Sequence, residues 1–315
     1  MCDVRAVRWS SPLLRSPRAV EADGIDGGVA AHYGDPLREQ KTLLAGDGCV
    51  DLSHREVVQI DGTDRLPWLH SLTTQYLDGL APGQWVTTLV LSPHGHVEHA
   101  MSGYDDGVAF WAHVGPGEAA PLLAWLDSMR FMMRVEVHDV TEEWAVVARG
   151  PESVDLVSRA ELEPSVMGSL CGLWAFEALR IARGEPRLHL DTDHRTIPNE
   201  VGWVGSAVHL DKGCYRGQET VARVHNLGRP PRRLVLLHLD GSADRLPGHR
   251  ADVVVDGRTV GVVGSSARHH ELGPIALALV KRNVDIDVPL LVDGIAASQE
   301  AVVDPDVGLH VRASH

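Results

Sequence analysis

Apolar and polar positions change period several times along this chain, and each change marks an element. Residues 57–60 form a short apolar run closed by Asp61-Gly62, which reads as a strand entering a turn. Thr63 or Asp64 can cap a following helix, with Pro67 tolerated in its first turn and Leu66, Leu69 and Leu72 on one face. Residues 85–91 are rich in β-branched side chains, turn at Ser92-Pro93-His94-Gly95 and return through Val97, which predicts a hairpin. Leu122, Trp125, Leu126 and Met129 recur at helical spacing. Val135 and Val137 alternate with Glu136 and His138, and a further apolar run at 144–148 is broken by Gly150-Pro151. Hairpins and helices thus mix between 33 and 150 without regular β-α-β alternation, which predicts an α+β fold rather than a doubly wound sheet. Residues 174–183 read as a helix with Glu177 and Arg180 at (i, i+3), ended by Gly184 and Pro186.

The pattern changes again after the linker-like stretch at 226–231. Short β-type runs follow at 234–239, 252–255, 259–263, 275–280 and 289–292, with Asp256-Gly257 a strong hairpin signal between two of them. Residues 232 to about 305 therefore read as a small all-β barrel or sandwich. Residues 1–32 show no periodicity and read as a leader, disordered or loosely docked. The resulting division is 1–32 leader, 33–228 α+β region and 229–315 β domain. The longest apolar run, 275–280, falls far short of the roughly 20 residues needed to span a bilayer, so no membrane partner is expected. Arg5, Arg8, Arg15 and Arg18 give the leader a superficial likeness to a transit peptide. Asp3, Glu21, Asp23 and Asp26 interrupt it, and the expected location is the cytoplasm.

Composition narrows the chemistry. With 29 basic and 43 acidic side chains the formal charge is −14, which argues against general nucleic-acid binding outside a local basic patch. Cys2, Cys49, Cys171 and Cys214 show neither a CxxC pair nor zinc-ligand spacing, so no resident metal is expected. Cys49 and Cys171 lie among small or apolar neighbours and read as buried hydrophobes. Cys214 sits in Lys212-Gly213-Cys214-Tyr215-Arg216-Gly217-Gln218-Glu219. The two glycines allow a tight exposed turn, and two flanking cations favour thiolate over thiol. Local chemistry alone leaves a reactive sulfur and an inert structural loop both open. His94, His96 and His99 could offer imidazoles to a metal, but 18 histidines make chance clustering easy. Arg223, His225, Arg229, Arg232 and Arg233 form the only concentrated basic stretch, either an anion clamp or a linker whose arginines pair with acids. No aromatic interleaving supports RNA as its partner. There is no GxGxxG, P-loop, GxSxG or HExxH, which disfavours the common nucleotide-dependent chemistries.

Residues 212–219 resemble the Lys-Gly-Cys-Tyr-x-Gly-Gln-Glu signature of the YgfZ family of folate-binding proteins, and Val221-Ala222-Arg223 continues it. The wider superfamily resembled is that of the aminomethyltransferase, the T-protein of the glycine cleavage system. Asp51-Leu52-Ser53-His54, residues 69–83, Ala178-Leu179-Arg180-Ile181, Ile197-Pro198-Asn199-Glu200 and residues 261–266 are similar to its landmarks. The resemblance implies a three-lobed ring, two α+β lobes plus a C-terminal β-barrel, around a folate site. It implies tetrahydrofolate as cofactor. Folate and iron–sulfur client proteins, or the machinery that assembles or repairs their clusters, are the implied partners. Cys214 becomes the reactive residue, with Lys212 and Arg216 as its activating charges. Gly213 and Gly217 shape the loop, Tyr215 belongs to the motif, and Gln218, Glu219 and Arg223 orient it or touch the ligand. Two departures stand out. His99-Ala100 occupies the place of an aminomethyltransferase Asp, and Ala182 stands where an acid holds the pterin. Glu177 and Glu200, with Arg180, become the candidate folate contacts. The departures speak against glycine-cleavage activity; a folate-dependent aminomethyl or methyl transferase, or a demethylase, is the alternative.

Overall fold

The computed structural model describes residues 9–166, 168–228 and 230–306. Strands β1 (Val20–Glu21) and β2 (Ala30–His32) lead into helix α1 (Pro36–Leu44). Then come β3 (Gly48–Asp51), β4 (Glu56–Asp61), α2 (Arg65–Leu72), β5 (Val86–Leu91), β6 (Val97–Asp105), β7 (Ala109–Val114) and α3 (Ala119–Ser128). Next are β8 (Glu136–Asp139), β9 (Trp144–Ala148), β10 (Val154–Ser158), the single turn α4 (Leu162–Ser165), β11 (Ser169–Cys171) and α5 (Leu173–Ala182). A long irregular stretch ends at α6 (Gln218–Leu227). Six strands close the chain: β12 (Arg232–Leu239), β13 (Asp252–Val255), β14 (Arg258–His269), β15 (Gly273–Lys281), β16 (Leu290–Val292) and β17 (Ile295–Ala301). No helix among the described residues is long and apolar enough to cross a membrane.

These elements form two compact units with interleaved chain. One takes the described residues up to Trp68, Gly79–Trp85 and Met101–Leu179; the other takes Leu69–Asp78, Val86–Ala100 and the described chain from Arg180 on.

In the first unit, β10, β9, β3 and β11 form a sheet, and the parallel pair β3–β11 sets Cys49 opposite Leu170 and Cys171 opposite Val50. Neighbouring strand residues point to opposite faces. Cys171 accordingly joins the core of Leu43, Val50, Val57 and Phe176, while Cys49 joins that of Val147 and Leu162. Both cysteines are buried, as their apolar neighbours predict. The same unit carries β7, β4 and β8 as antiparallel neighbours. The arm read as a leader belongs to the fold from Trp9 on. Ala22, Val29 and Ala31 pack in the first core, the Ser11 amide donates to the Gly28 carbonyl, and the Ser11 hydroxyl donates to buried Asp51. Cys2, Arg5 and Arg8 lie outside the described residues. Helix α1 buries only Leu43 among its apolar side chains and escapes the sequence reading; Asp35 caps it by accepting from the Arg38 amide, with Pro36 at its first position.

In the second unit the six C-terminal strands close a barrel in the order β12, β15, β14, β13, β16, β17. Its interior is filled by Val235, Leu237, Val253, Val263, Ala276, Ala278, Val292 and Ile295. The alternate residues of β12 and β15, Leu234, Leu236, Leu277 and Leu279, are also buried, against Ile181, Val201 and Val303. Two strands covered on both faces read as continuous apolar runs, which is why the sequence marks them so clearly. The β13–β14 turn places Asp256 at φ 48° and Gly257 at φ 75°, the two left-handed residues of a type I′ hairpin.

Candidate functional site at the Cys214 loop

The loop belongs wholly to the second unit, and its flanking residues fix it. Tyr215 is buried with Leu89, Leu91, Val97, Ala207, Val208 and Val221. Gly217 ends the loop at φ 82° and starts α6. A Cβ at Gly217 would stand 2.5 Å from the Ser92 carbonyl oxygen and 3.0 Å from Gly95 Cα; a Cβ at Gly95 would stand 2.8 Å from Thr220 Cβ. Two glycines therefore let the start of α6 rest directly on the β5–β6 turn. Gly228, also left-handed, caps the other end by donating its amide to the Val224 carbonyl. With only Val221 buried along its length, α6 is bounded by glycines rather than announced by an apolar stripe, and the sequence reading assigns it no helix, only the motif segment to 219 and a linker from 226.

Cys214 is exposed, with its sulfur free. The cations beside it do other work than the one expected of them. Lys212 is almost fully buried, and its ammonium donates to the carbonyls of His70, Thr73 (2.5 Å) and Gln75 (3.0 Å). Those three acceptors match its three donors. It also lies 5.2 Å from the Tyr215 ring centroid. Burial pulls this amine down to about 8 from its ordinary value. Arg216 pairs with Glu98 at 3.1 Å. Lys212 is thus a tether, binding the loop to the chain that follows α2. Gln218 donates to the Lys212 carbonyl at 3.4 Å, closing the loop on itself. Exposed Glu219 sits 4.0 Å from Arg223 one turn on, an ordinary surface (i, i+4) pair. Half-exposed Tyr76 stands between His70 and His209, at centroid distances of 5.0 and 5.6 Å. Neither Tyr76 nor the tethered carbonyls carry a mark that sequence reading could find, since backbone oxygens have no side-chain signature.

The candidate folate contacts separate. Glu200 is fully buried. One of its oxygens accepts from Arg232 Nε at 2.8 Å; the other accepts from Arg232 Nη2 at 2.9 Å and from the Ile197 amide at 3.1 Å. Arg232 also donates to both oxygens of Asp193, at 2.6 and 3.1 Å. Burial works against the Arg232 charge, but hydrogen bonds to Glu200 and Asp193 outweigh it and raise its pKa. Asp193, despite burial, is held well below the usual carboxylate range by the same arginine. Arg180 is buried too and donates to Asp191 at 3.0 Å, to the Ser265 hydroxyl at 2.9 Å and to the Glu185 carbonyl. Glu200 and Arg180 are therefore internal struts, which corrects the expectation that they face a ligand. Glu177, on α5 in the first unit, is half-buried, with one carboxylate oxygen withdrawn from solvent.

The C-terminal part of the basic stretch dissolves in the same way. Arg233 is buried and donates to the Arg282 and Val284 carbonyls, Arg232 serves the acid network, and Arg229 lies outside the described residues. His94 and His96 have ring centroids 6.2 Å apart, and both backbone amides donate to Ser92 Oγ.

Comparison with known proteins agrees with this architecture. Residues 32–168 match the GCVT N-terminal domain, and residues 232–311 match the glycine cleavage T-protein C-terminal barrel domain. A chloroplastic protein of Arabidopsis thaliana, named provisionally as a transferase, is 26% identical over 327 residues, covering 83% of this chain and 74% of its own. An aminomethyltransferase of Rippkaea orientalis is 25% identical, covering 84% and 87%. The crystal structure of the glycine cleavage system aminomethyltransferase T of Bartonella henselae superposes with a TM-score of 0.78 at 16% identity, over 94% of this chain and 97% of that one. The chain belongs to the T-protein-like aminomethyltransferase superfamily. Its fold is that of the aminomethyltransferases, α+β N-terminal domains followed by a six-stranded barrel.

Proposed function

We propose that this protein is a cytoplasmic, tetrahydrofolate-binding accessory factor for assembling or repairing iron–sulfur clusters in client proteins. The observation that carries the reading is Cys214: a free, exposed thiol on a loop whose neighbours are nearly all fixed. A sulfur held out to solvent from a rigid base can meet a partner's cluster or thiol without the loop first ordering, which lowers the entropic cost of docking. Four cysteines, two of them buried in separate cores, suit a protein that services clusters rather than one that owns one.

Tetrahydrofolate would bring a pterin whose paired N–H donors need a carboxylate acceptor. Glu200 does not fit that part, because its oxygens are sealed and taken by Arg232 and Ile197. Glu177 fits better, being half-buried on α5, the helix that ends at Ala182. Calorimetric titration with tetrahydrofolate tests this: saturable binding that weakens in Glu177→Gln supports it, and absence of binding to the parent overturns it. For the thiol, Cys214→Ala in a strain deleted for the gene should fail to restore cluster-enzyme activity. Full rescue would sink the cluster role.

A second reading, a folate-dependent aminomethyl or methyl transferase or a demethylase, rests on the aminomethyltransferase names of several relatives. Against it stand His99-Ala100 and Ala182, at the two places where the family resemblance implies acids. Turnover of a methylamine donor by the purified protein with tetrahydrofolate would establish it.

A further inference from the structure

Away from the Cys214 loop, the first unit carries a second constellation. Strand β8 pairs with β4 in a register that sets Glu136 opposite Asp61 and His138 opposite Gln59. Side chains two apart on a strand share a face, so Glu136 and His138 project together, with Asp61 across from them. Two carboxylates directly opposite on paired strands repel each other, an arrangement that sheets avoid. Here the His138 ring lies against both: its Nε2 is 3.3 Å from Asp61 Oδ2 and 3.7 Å from Glu136 Oε2. The three side chains each offer a ligand atom, and all three atoms lie within 4.8 Å of one another. Among the described residues this is the one group of three that meets that condition.

We propose that Asp61, Glu136 and His138 form a site for a borderline first-row dication such as zinc. Ligands at about 2.1 Å around a tetrahedral ion stand about 3.4 Å apart. The two observed spacings to His138 bracket that value, and the third, between the carboxylates, is no more than 4.8 Å. The donor set also selects. An imidazole nitrogen with two carboxylates suits zinc, cobalt or nickel better than magnesium or calcium, which prefer all-oxygen shells. Two negative charges and a neutral imidazole balance a dication. Three protein ligands leave the fourth position open to water or to a partner's side chain. Access is not obstructed: the side chains of Asp61, Glu136 and His138 are 37%, 68% and 42% exposed. The placement is set by backbone, since four consecutive register pairs tie β4 to β8. Asp61 also feels the Arg65 guanidinium, which is clamped by both oxygens of Asp105 at 2.6 and 2.8 Å and competes only as a distant charge. The site does not depend on the Cys214 reading.

Titration of the full chain with zinc chloride tests it, in a Cys214→Ser background that removes the exposed thiol. One ion per chain should bind with a Kd on the order of micromolar. His138→Gln and Asp61→Asn should each weaken binding about tenfold or more. Glu136→Gln, at the most exposed of the three positions, supplies a variant with the least risk to folding. In the parent, zinc should shift the His138 ring proton resonances, and cobalt should give visible absorption that His138→Gln loses. An unchanged isotherm in both His138→Gln and Asp61→Asn would overturn the site. So would a parent that shows no saturable binding below about 1 mM.

Discussion

Two charged stretches of the second unit look alike in sequence, and the fold treats them oppositely. Residues 229–233 and 212–219 both bring cations together beside glycine or proline. In the first, Arg232 and Arg233 turn inward to buried Glu200, partly buried Asp193 and backbone carbonyls, and the stretch becomes wiring of the interior. In the second, Lys212 turns inward while the neighbouring sulfur stays outside. What separates structure from chemistry here is which atoms remain reachable once the charges have found partners. A cation that is fully matched inside holds a shape, and a nucleophile left outside on that shape is available to react.

The contrast can be broken by experiment. Its inner half is most exposed to attack through Arg232. Arg232→Met leaves buried Glu200 and partly buried Asp193 without their counter-charge and should cost about 3–5 kcal/mol in urea unfolding; a loss under about 1 kcal/mol would mean the network is not holding the unit. The other unit offers a buried group of a different kind, His113, which burial holds down at about 3, helped by Arg55. Its unfolded value is near 6.5, so between those values the unfolded chain binds the extra proton. Stability should therefore fall as pH drops from about 6.5 toward 3, by about 3 kcal/mol between pH 7 and 4, and His113→Gln should flatten that slope. Lys212→Met removes three hydrogen bonds at once and should cost about 2–3 kcal/mol, with faster amide exchange near the tethered segment. Gly217→Ala forces a side chain into left-handed backbone against the Ser92 carbonyl and should cost about 1–2 kcal/mol in thermal or urea unfolding. Cys214→Ser completes the comparison from the outer side. Its unfolding midpoint should stay within about 0.5 kcal/mol of the parent while labelling by a maleimide at that loop disappears.

The barrel was legible because β12 and β15 are apolar on both faces and Asp256-Gly257 writes its own turn. The motif loop was legible as a place, and Cys214 as its exposed residue. Its internal logic was not. Lys212 reads as a charge beside a thiol, but its partners are backbone oxygens far back in the chain, which no side-chain pattern announces. Glu200 reads as a candidate ligand contact and Arg180 as the (i, i+3) partner of Glu177, because Arg232 and Asp191 meet them only after folding. Asp61 likewise meets Glu136 and His138 through strand register, which is decided by the sheet as a whole.

The interleaving of the two units sets a timetable for synthesis. The chain passes between them five times, so neither can be cut out as one continuous fragment. Strand β5 emerges from the ribosome early, yet Leu89 and Leu91 pack against Ala207, Val208, Tyr215 and Val221, which are made more than a hundred residues later. During that delay a sticky apolar strand waits uncovered, and at translation speeds of about 5–20 residues per second the wait lasts many seconds. The nascent chain should therefore be most prone to aggregate in that interval, before the later segment arrives to cover the strand.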